Sequence, residues 1–179
     1  MGNIRELTRN AVLEIMNGYG NDPQQLIAVL LDIQAASGRN YVDKQWAQLV
    51  SEVLNVPLTK VFDILTFYAM FSIAPRGEYV IEICQSAPCR FGDGHLCSAP
   101  QVISWFEAAA GIRVGETSAD GKITLTGTSC VGACDTGPVV KINDDIFGNL
   151  TGEKVKALVK SCREGGLSGN PKEVFPCQN

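Results

Sequence analysis

The sequence predicts a mixed α and β fold: an all-helical first part, residues 1–74, then an α/β domain over residues 75–164. Three observations predict it. Apolar residues recur at helical spacing through the first part, which holds no cysteine. Strand-like alternation replaces that spacing directly after Pro75-Arg76-Gly77, which is turn chemistry. From there the order is strand, helix, strand, hairpin, helix, and all seven cysteines fall in this second part or in the tail at 165–179.

Taken in order, Asn3 to Asn17 carries Ile4, Leu7, Val12 and Ile15 before Gly18-Tyr19-Gly20-Asn21 breaks the pattern. Asp22 suits an N-cap and Pro23 a first helical position. The helix they open sets Leu26, Ile27, Leu30 and Ile33 on one stripe and ends near Ser37-Gly38. Asp43 opens a third helix with Trp46, Leu49, Val50 and Val53 at i, i+3, i+4 and i+7. Leu58, Val61, Phe62 and Leu65 repeat that spacing in a fourth. Such stripes read as core rather than as binding faces.

In the second part, Tyr79 to Ile83 is a strand running into Cys84, and Phe91 to Gly94 is a loop after Cys89. A helix from about His95 or Ser98 to Ala110 turns Val102, Ile103, Phe106 and Ala110 inward. Lys122 to Thr126 alternates as a half-covered strand with Ile123 and Leu125 buried, and leads to Cys130. Val139 to Ile142 and Ile146-Phe147 flank the hairpin signal Asn143-Asp144-Asp145. Thr151 caps a last helix with Val155, Leu158, Val159 and Cys162 on one side, and 165–179 reads as a surface tail.

Composition bounds the function. The chain of 179 residues is 45% hydrophobic and carries a net charge of −4, with no block of lysine or arginine. A nucleic-acid surface is therefore not expected. The longest aliphatic run, Leu26 to Leu31, is far short of the ~20 residues that span a bilayer. No signal-peptide core is visible in the first twenty residues. A cytoplasmic protein with no membrane insertion is the expectation.

Seven cysteines, an odd number without an export signal, argue against a disulfide framework and for metal or cluster binding. Spacing selects two groups, Cys84-x4-Cys89 and Cys130-x3-Cys134. Each is placed on a loop leaving a strand, with small or turn-forming residues between its thiols. Four thiolates from two loops can hold a [2Fe–2S] cluster, and close backbone amides would tune its potential. Two other chemistries compete. Structural zinc also takes four cysteines, though mostly as C-x2-C knuckles. Thiol–disulfide exchange needs C-x-x-C at a helix start, a spacing neither pair has. Cys97 reads as a bystander, with an alternative ligand or exposed thiol as its other reading, and Cys162 as a buried inert thiol. Cys177 has no assigned role. His95 is the only histidine, so a Rieske centre, which needs two, is out of reach. No nucleophile–base pair, dinucleotide fingerprint or phosphate loop is present.

A run of short motifs carries a resemblance over about residues 24–162. It consists of Thr66-Phe67-Tyr68, Pro75-Arg76-Gly77, Cys84-x4-Cys89, Gly115-Glu116-Thr117, Asp120-Gly121-Lys122, Cys130-Val131-Gly132-Ala133-Cys134, Gly137-Pro138-Val139 and Leu150-Thr151. In that order they resemble the 24-kDa-type subunit of respiratory complex I and its relatives. These relatives are the small subunits of NAD(P)-linked hydrogenases, formate dehydrogenases and electron-bifurcating complexes. The resemblance implies an N-terminal helical bundle followed by a thioredoxin-like ferredoxin domain. One [2Fe–2S] cluster would sit on Cys84, Cys89, Cys130 and Cys134. It further implies a larger flavoprotein partner with FMN, an NAD(P)H site and a [4Fe–4S] cluster, docked largely on the helical bundle, and a further catalytic or Fe–S subunit. The chain would relay single electrons and make no bonds itself. The family's first ligand loop resembles Cys-x-Gly-Thr-x-Cys. Here Gln85-Ser86-Ala87-Pro88 stands between the thiols, and Arg90 to Cys97 also departs from the usual version.

Overall fold

The computed structural model describes residues 7–92 and 97–167. His95, Cys177, the start of the first expected helix and the tail from 168 lie outside the described residues. The chain divides into two compact units between Arg76 and Gly77.

Among the described residues the first unit holds four α-helices. α1 (Arg9–Gly18) starts at Thr8, whose hydroxyl accepts the Ala11 N–H at 3.3 Å. Asp22 caps as expected, accepting from Gln24 N at 2.9 Å, but the turn it opens, Pro23–Gln25, is 3₁₀ and passes into α2 (Leu26–Ala36). α3 (Lys44–Val53) is capped by Asp43. α4 (Leu58–Phe67) begins behind Pro57 with no side-chain cap. Val12, Met16, Leu26, Val29, Leu30, Ile33, Leu49, Val50, Val61 and Leu65 form one buried core. Ile27, expected inward, is exposed, and Val29 is buried instead. α2 is apolar nearly all round, so spacing alone did not distinguish the 26/29/30/33 stripe from its neighbour. Beyond α4 the backbone is tied down by polar groups. The buried Gln34 carboxamide donates to Met70 O and accepts from Ser72 N, both at 2.9 Å. The Arg76 guanidinium donates to Asn40 O at 2.8 Å.

The second unit is built on a four-stranded sheet of order β2-β1-β3-β4. β1 (Tyr79–Cys84) runs parallel to β2 (Ile123–Thr128), with Tyr79 opposite Ile123 and Cys84 opposite Thr128. β3 (Val140–Ile142) and β4 (Asp145–Phe147) continue antiparallel on the other side of β1. A parallel pair needs a crossover. It includes α5 (Ala87–Phe91) and α6 (Ala99–Ala110), while α7 (Gly152–Glu164) follows the hairpin. Side chains alternate along β1. Tyr79, Ile81 and Ile83 join the main core with Val102, Phe106, Leu125, Leu158 and Cys162, whereas Cys84 belongs to a second, small cluster. Glu82 stands opposite Lys141 in the register and pairs with it at 3.1 Å. Asn143, with φ +51°, makes the hairpin turn, and its carboxamide also accepts from Val80 N and donates to Glu78 O. The fold is the thioredoxin-like one, preceded by helices.

Candidate metal centre

Cys84 is the last residue of the central strand. Its N–H donates to Val139 O at 3.1 Å, and the next amide, Gln85, donates to Thr128 O at 3.0 Å. The chain then turns at Ser86 into α5, with Pro88 in its first turn and Gly92 closing it at φ +66°. Cys89 lies inside that helix and is fully buried. This corrects the expectation of a loop between the first two thiols. The signals of a helix were present in Ser86, Pro88 and Gly92, but a five-residue element lacks the repeat that makes periodicity readable. Pro88 occupies a position whose N–H has no intrahelical partner, so the helix loses no bond there.

Cys130 lies, as its spacing predicts, on the loop that leaves the second strand. β2 stops at Thr128, and Cys130 is exposed two residues beyond it. Gly132, at φ +89°, reverses the chain and aims its N–H at Cys130 Sγ, 3.4 Å away. Any side chain would be strained at that φ. Cys134 opens a 3₁₀ turn, Cys134–Thr136, and its sulfur stands 3.5 Å from Cys130 Sγ. The Gly137–Pro138 peptide that follows is cis.

Three of the thiols are shifted by neighbouring sulfurs as well as by burial and backbone amides. Burial pushes Cys89 up to about 11, the Val139 amide donating to its sulfur works the other way, and Cys84 and Cys134 add to the rise. The hydrogen bond to Cys130, and then its charge, raises Cys134, with Cys84 contributing further. The Gly132 amide, followed by the Cys134 thiol, lowers Cys130. Cys84 and Cys89 are buried together against Ala99 and Val139, with Val131 and Ala133 packed alongside, whereas Cys130 is exposed and Cys134 half-buried.

Among the described residues, no three His, Cys, Asp or Glu side chains are set as ligands of a single ion. The sulfurs associate in pairs instead, Cys84 with Cys89 and Cys130 with Cys134. Two thiolates on one tetrahedral metal with ~2.3 Å bonds stand ~3.8 Å apart, close to the 3.5 Å of the second pair. A two-iron cluster held by four cysteines takes two thiolates on each iron, a pairing that the Cys130 and Cys134 sulfurs suit.

The remaining described thiols lie elsewhere. Cys97 is buried in the main core and its Sγ donates to Leu150 O at 3.6 Å. Cys162 is fully buried in the same core, and burial pushes its thiol up to about 12. Residues that the spacing argument passed over also shape the site. Val139 supplies an amide to Cys89, Gln85 lays its carboxamide against Gly127, and Gly148 and Asn149 lie against Thr136. The Gly137-Pro138-Val139 motif carried the signal for the first. The other two are contacts between distant segments and leave no pattern along the chain.

The family model described as thioredoxin-like [2Fe–2S] ferredoxin matches residues 12–163. The chain belongs to this family. Among curated relatives it is similar to a subunit of the NADH-quinone oxidoreductase of Rhizobium meliloti, at 35% identity over 64% of this chain and 65% of that one. An NADH-quinone oxidoreductase subunit of Rickettsia felis is 33% identical over 74% of this chain and 77% of its own. The NADP-reducing hydrogenase subunit HndA of Solidesulfovibrio fructosivorans is 28% identical over 83% and 82%. The fold is also that of a chain in the crystal structure of an NAD⁺-reducing [NiFe]-hydrogenase in its air-oxidised state, with TM-score 0.70 and 22% identity. That match covers 87% of this chain but only 26% of the hydrogenase chain. Among the described residues no helix is long and apolar enough to cross a membrane.

Proposed function

We propose that the chain is a one-electron relay subunit carrying a single [2Fe–2S] cluster on Cys84, Cys89, Cys130 and Cys134. Its partner in this reading is a larger FMN- and NAD(P)H-binding flavoprotein subunit with a [4Fe–4S] cluster, in a hydrogenase-like, bifurcating or complex-I-like oxidoreductase that includes a further catalytic or Fe–S subunit. The observation that carries the reading is geometric: Cys84 and Cys89 are buried together at the end of the central strand, and the sulfurs of Cys130 and Cys134 stand 3.5 Å apart, in a family of [2Fe–2S] ferredoxins. The bound cluster would supply reversible one-electron chemistry. The chain's own groups do the rest: Val139 and Gly132 direct N–H groups at sulfurs and favour their charged form, and the apolar wall around Cys84 and Cys89 limits water.

A partner is supported by an apolar surface on the helical unit. Phe67 is 80% exposed with its ring against that of Tyr68, and Met70 and Ile73, a few residues on, are exposed as well. Phe67 and Tyr68 line a cavity of about 550 Å³ together with Lys60, Asp63, Ile64 and Thr66. Apolar side chains exposed together mark interaction sites more often than solvated surface.

Anaerobically prepared protein should contain two irons and two inorganic sulfides per chain, with visible and EPR signals of a [2Fe–2S] centre. Cys130→Ser should abolish or greatly alter those signals, and Cys162→Ser should leave them nearly intact. Equal loss in both variants, or zinc in place of iron, would overturn the ligand set. In native extract the chain should elute with a flavoprotein, and Phe67→Asp should release it. Elution as a lone chain of wild-type sequence would favour a free-standing ferredoxin or redox sensor.

A further inference from the structure

The turn that carries Cys134 is too short to hold itself. Its internal bonds are few and long: Thr136 N to Ala133 O at 3.3 Å, Thr136 Oγ1 to the same carbonyl at 3.3 Å, and Gly137 N to Cys134 O at 3.4 Å. A shorter bond arrives from a distant segment, where the Asn149 N–H donates to Thr136 O at 2.7 Å. Gly148, the residue before, approaches so closely that a Cβ there would sit 2.5 Å from Thr136 O and closer still to the Thr136 hydroxyl. Contacts of that kind are not found for real Cβ atoms, and one of these partners is backbone, which cannot swing aside as a flexible side chain can.

The supporting segment is itself anchored. Asn149 takes φ +50°, a conformation asparagine tolerates and β-branched residues resist. Its carbonyl accepts from Lys154 Nζ at 2.9 Å, at the start of α7. Leu150 is buried in the main core, and its carbonyl accepts from Cys97 Sγ. Cys97 thus has a structural employment away from the four-thiol site.

We propose that Gly148-Asn149-Leu150 is a strut that positions Cys134, with Gly148 and Asn149 as its positioning residues. The inference rests on the [2Fe–2S] reading above. It adds that the geometry of the exposed pair, Cys130 and Cys134, is set from the β4–α7 connection rather than by the C-x3-C loop alone.

The test uses the full chain. Gly148→Ala should push the 3₁₀ turn away, giving a shifted midpoint potential, altered EPR g-values and a shorter cluster lifetime in air. Asn149→Val should shift them in the same direction, whereas Asn149→Gly, which keeps the left-handed φ, should match wild type. Asn55→Val, at φ +50° in the helical unit, loads the chain with the same backbone strain and should leave the cluster signals unchanged. In apoprotein, hydrogen exchange of the Asn149 amide should be slow in wild type and at least tenfold faster in Gly148→Ala, a reading that needs no iron. If Gly148→Ala does not fold, Asn149→Val and Asn149→Gly decide the matter between them. Wild-type cluster signals in both Gly148→Ala and Asn149→Val, or equal shifts in Asn55→Val, would overturn the strut. Wild-type protein without a [2Fe–2S] signal would instead overturn the reading beneath it, while the amide exchange still reports on the contact.

Discussion

At the scale of single residues, the thiols fall into two chemical classes that burial separates. Burial of Cys162 in the main core opposes its ionisation and outweighs a backbone hydrogen bond that favours it, so its thiol is pushed from an ordinary value of 9.0 to about 12. Below pH 9 the thiol is protonated in folded and unfolded chains alike, and this contribution to stability is complete. Above it the unfolded chain ionises and the folded one does not, so stability is lost as pH rises from about 9 towards 12. Apoprotein should therefore show a melting temperature that falls across that window, and Cys162→Ala should flatten part of the fall. Cys130 is the opposite case, exposed and lowered by the Gly132 amide. Brief treatment of folded apoprotein with iodoacetamide at pH 8 should label Cys130 at least tenfold faster than Cys162, as peptide mass spectrometry would show, because the thiolate is the nucleophile.

At the scale of elements, two glycines show how context decides the same substitution. Gly18 ends α1 with nothing within 4 Å of an added Cβ, and its φ is not left-handed. Gly18→Ala should stabilise the helical unit by about 0.5–1 kcal/mol, through a smaller loss of backbone freedom on folding. Gly77 precedes β1, and a Cβ there would lie 2.7 Å from the Ile123 backbone. Gly77→Ala should destabilise the sheet unit by about 1–3 kcal/mol, since strand backbone has nowhere to go. Urea titrations read by fluorescence separate the two, because Trp46 lies in the helical unit and Trp105 in α6. The caps behave more simply. Asp43→Ala at the start of α3 should cost about 1 kcal/mol in the Trp46 signal.

At the scale of the whole molecule, the two units have separate cores, and every proposed ligand lies in the second. A cofactor that binds only the native form stabilises the unit that holds it. Chelating the iron should lower the thermal transition reported by Trp105 by several degrees and leave the one reported by Trp46 almost unmoved. A matched fall in both would show that the units unfold as one body. Much of this architecture was legible along the chain. The helical stripes, the change of period after Pro75-Arg76-Gly77 and the strand running into Cys84 are all local patterns. Ile27 and the short helix around Cys89 were misread for local reasons too: one lies on a helix apolar all round, the other in an element too brief to repeat.

The sequence alone determined which residue types are available and where their spacing repeats, because hydrophobic period, cap chemistry and C-x4-C and C-x3-C loops act between near neighbours. Folding decided what depends on segments far apart in the chain. It set the Val139 amide on Cys89, confined Cys97 and Cys162 to the main core, and laid Gly148 and Asn149 against the turn of Cys134. A hydrogen bond or close approach between distant segments exists only once the sheet's register has brought them together, and no pattern along the chain encodes it.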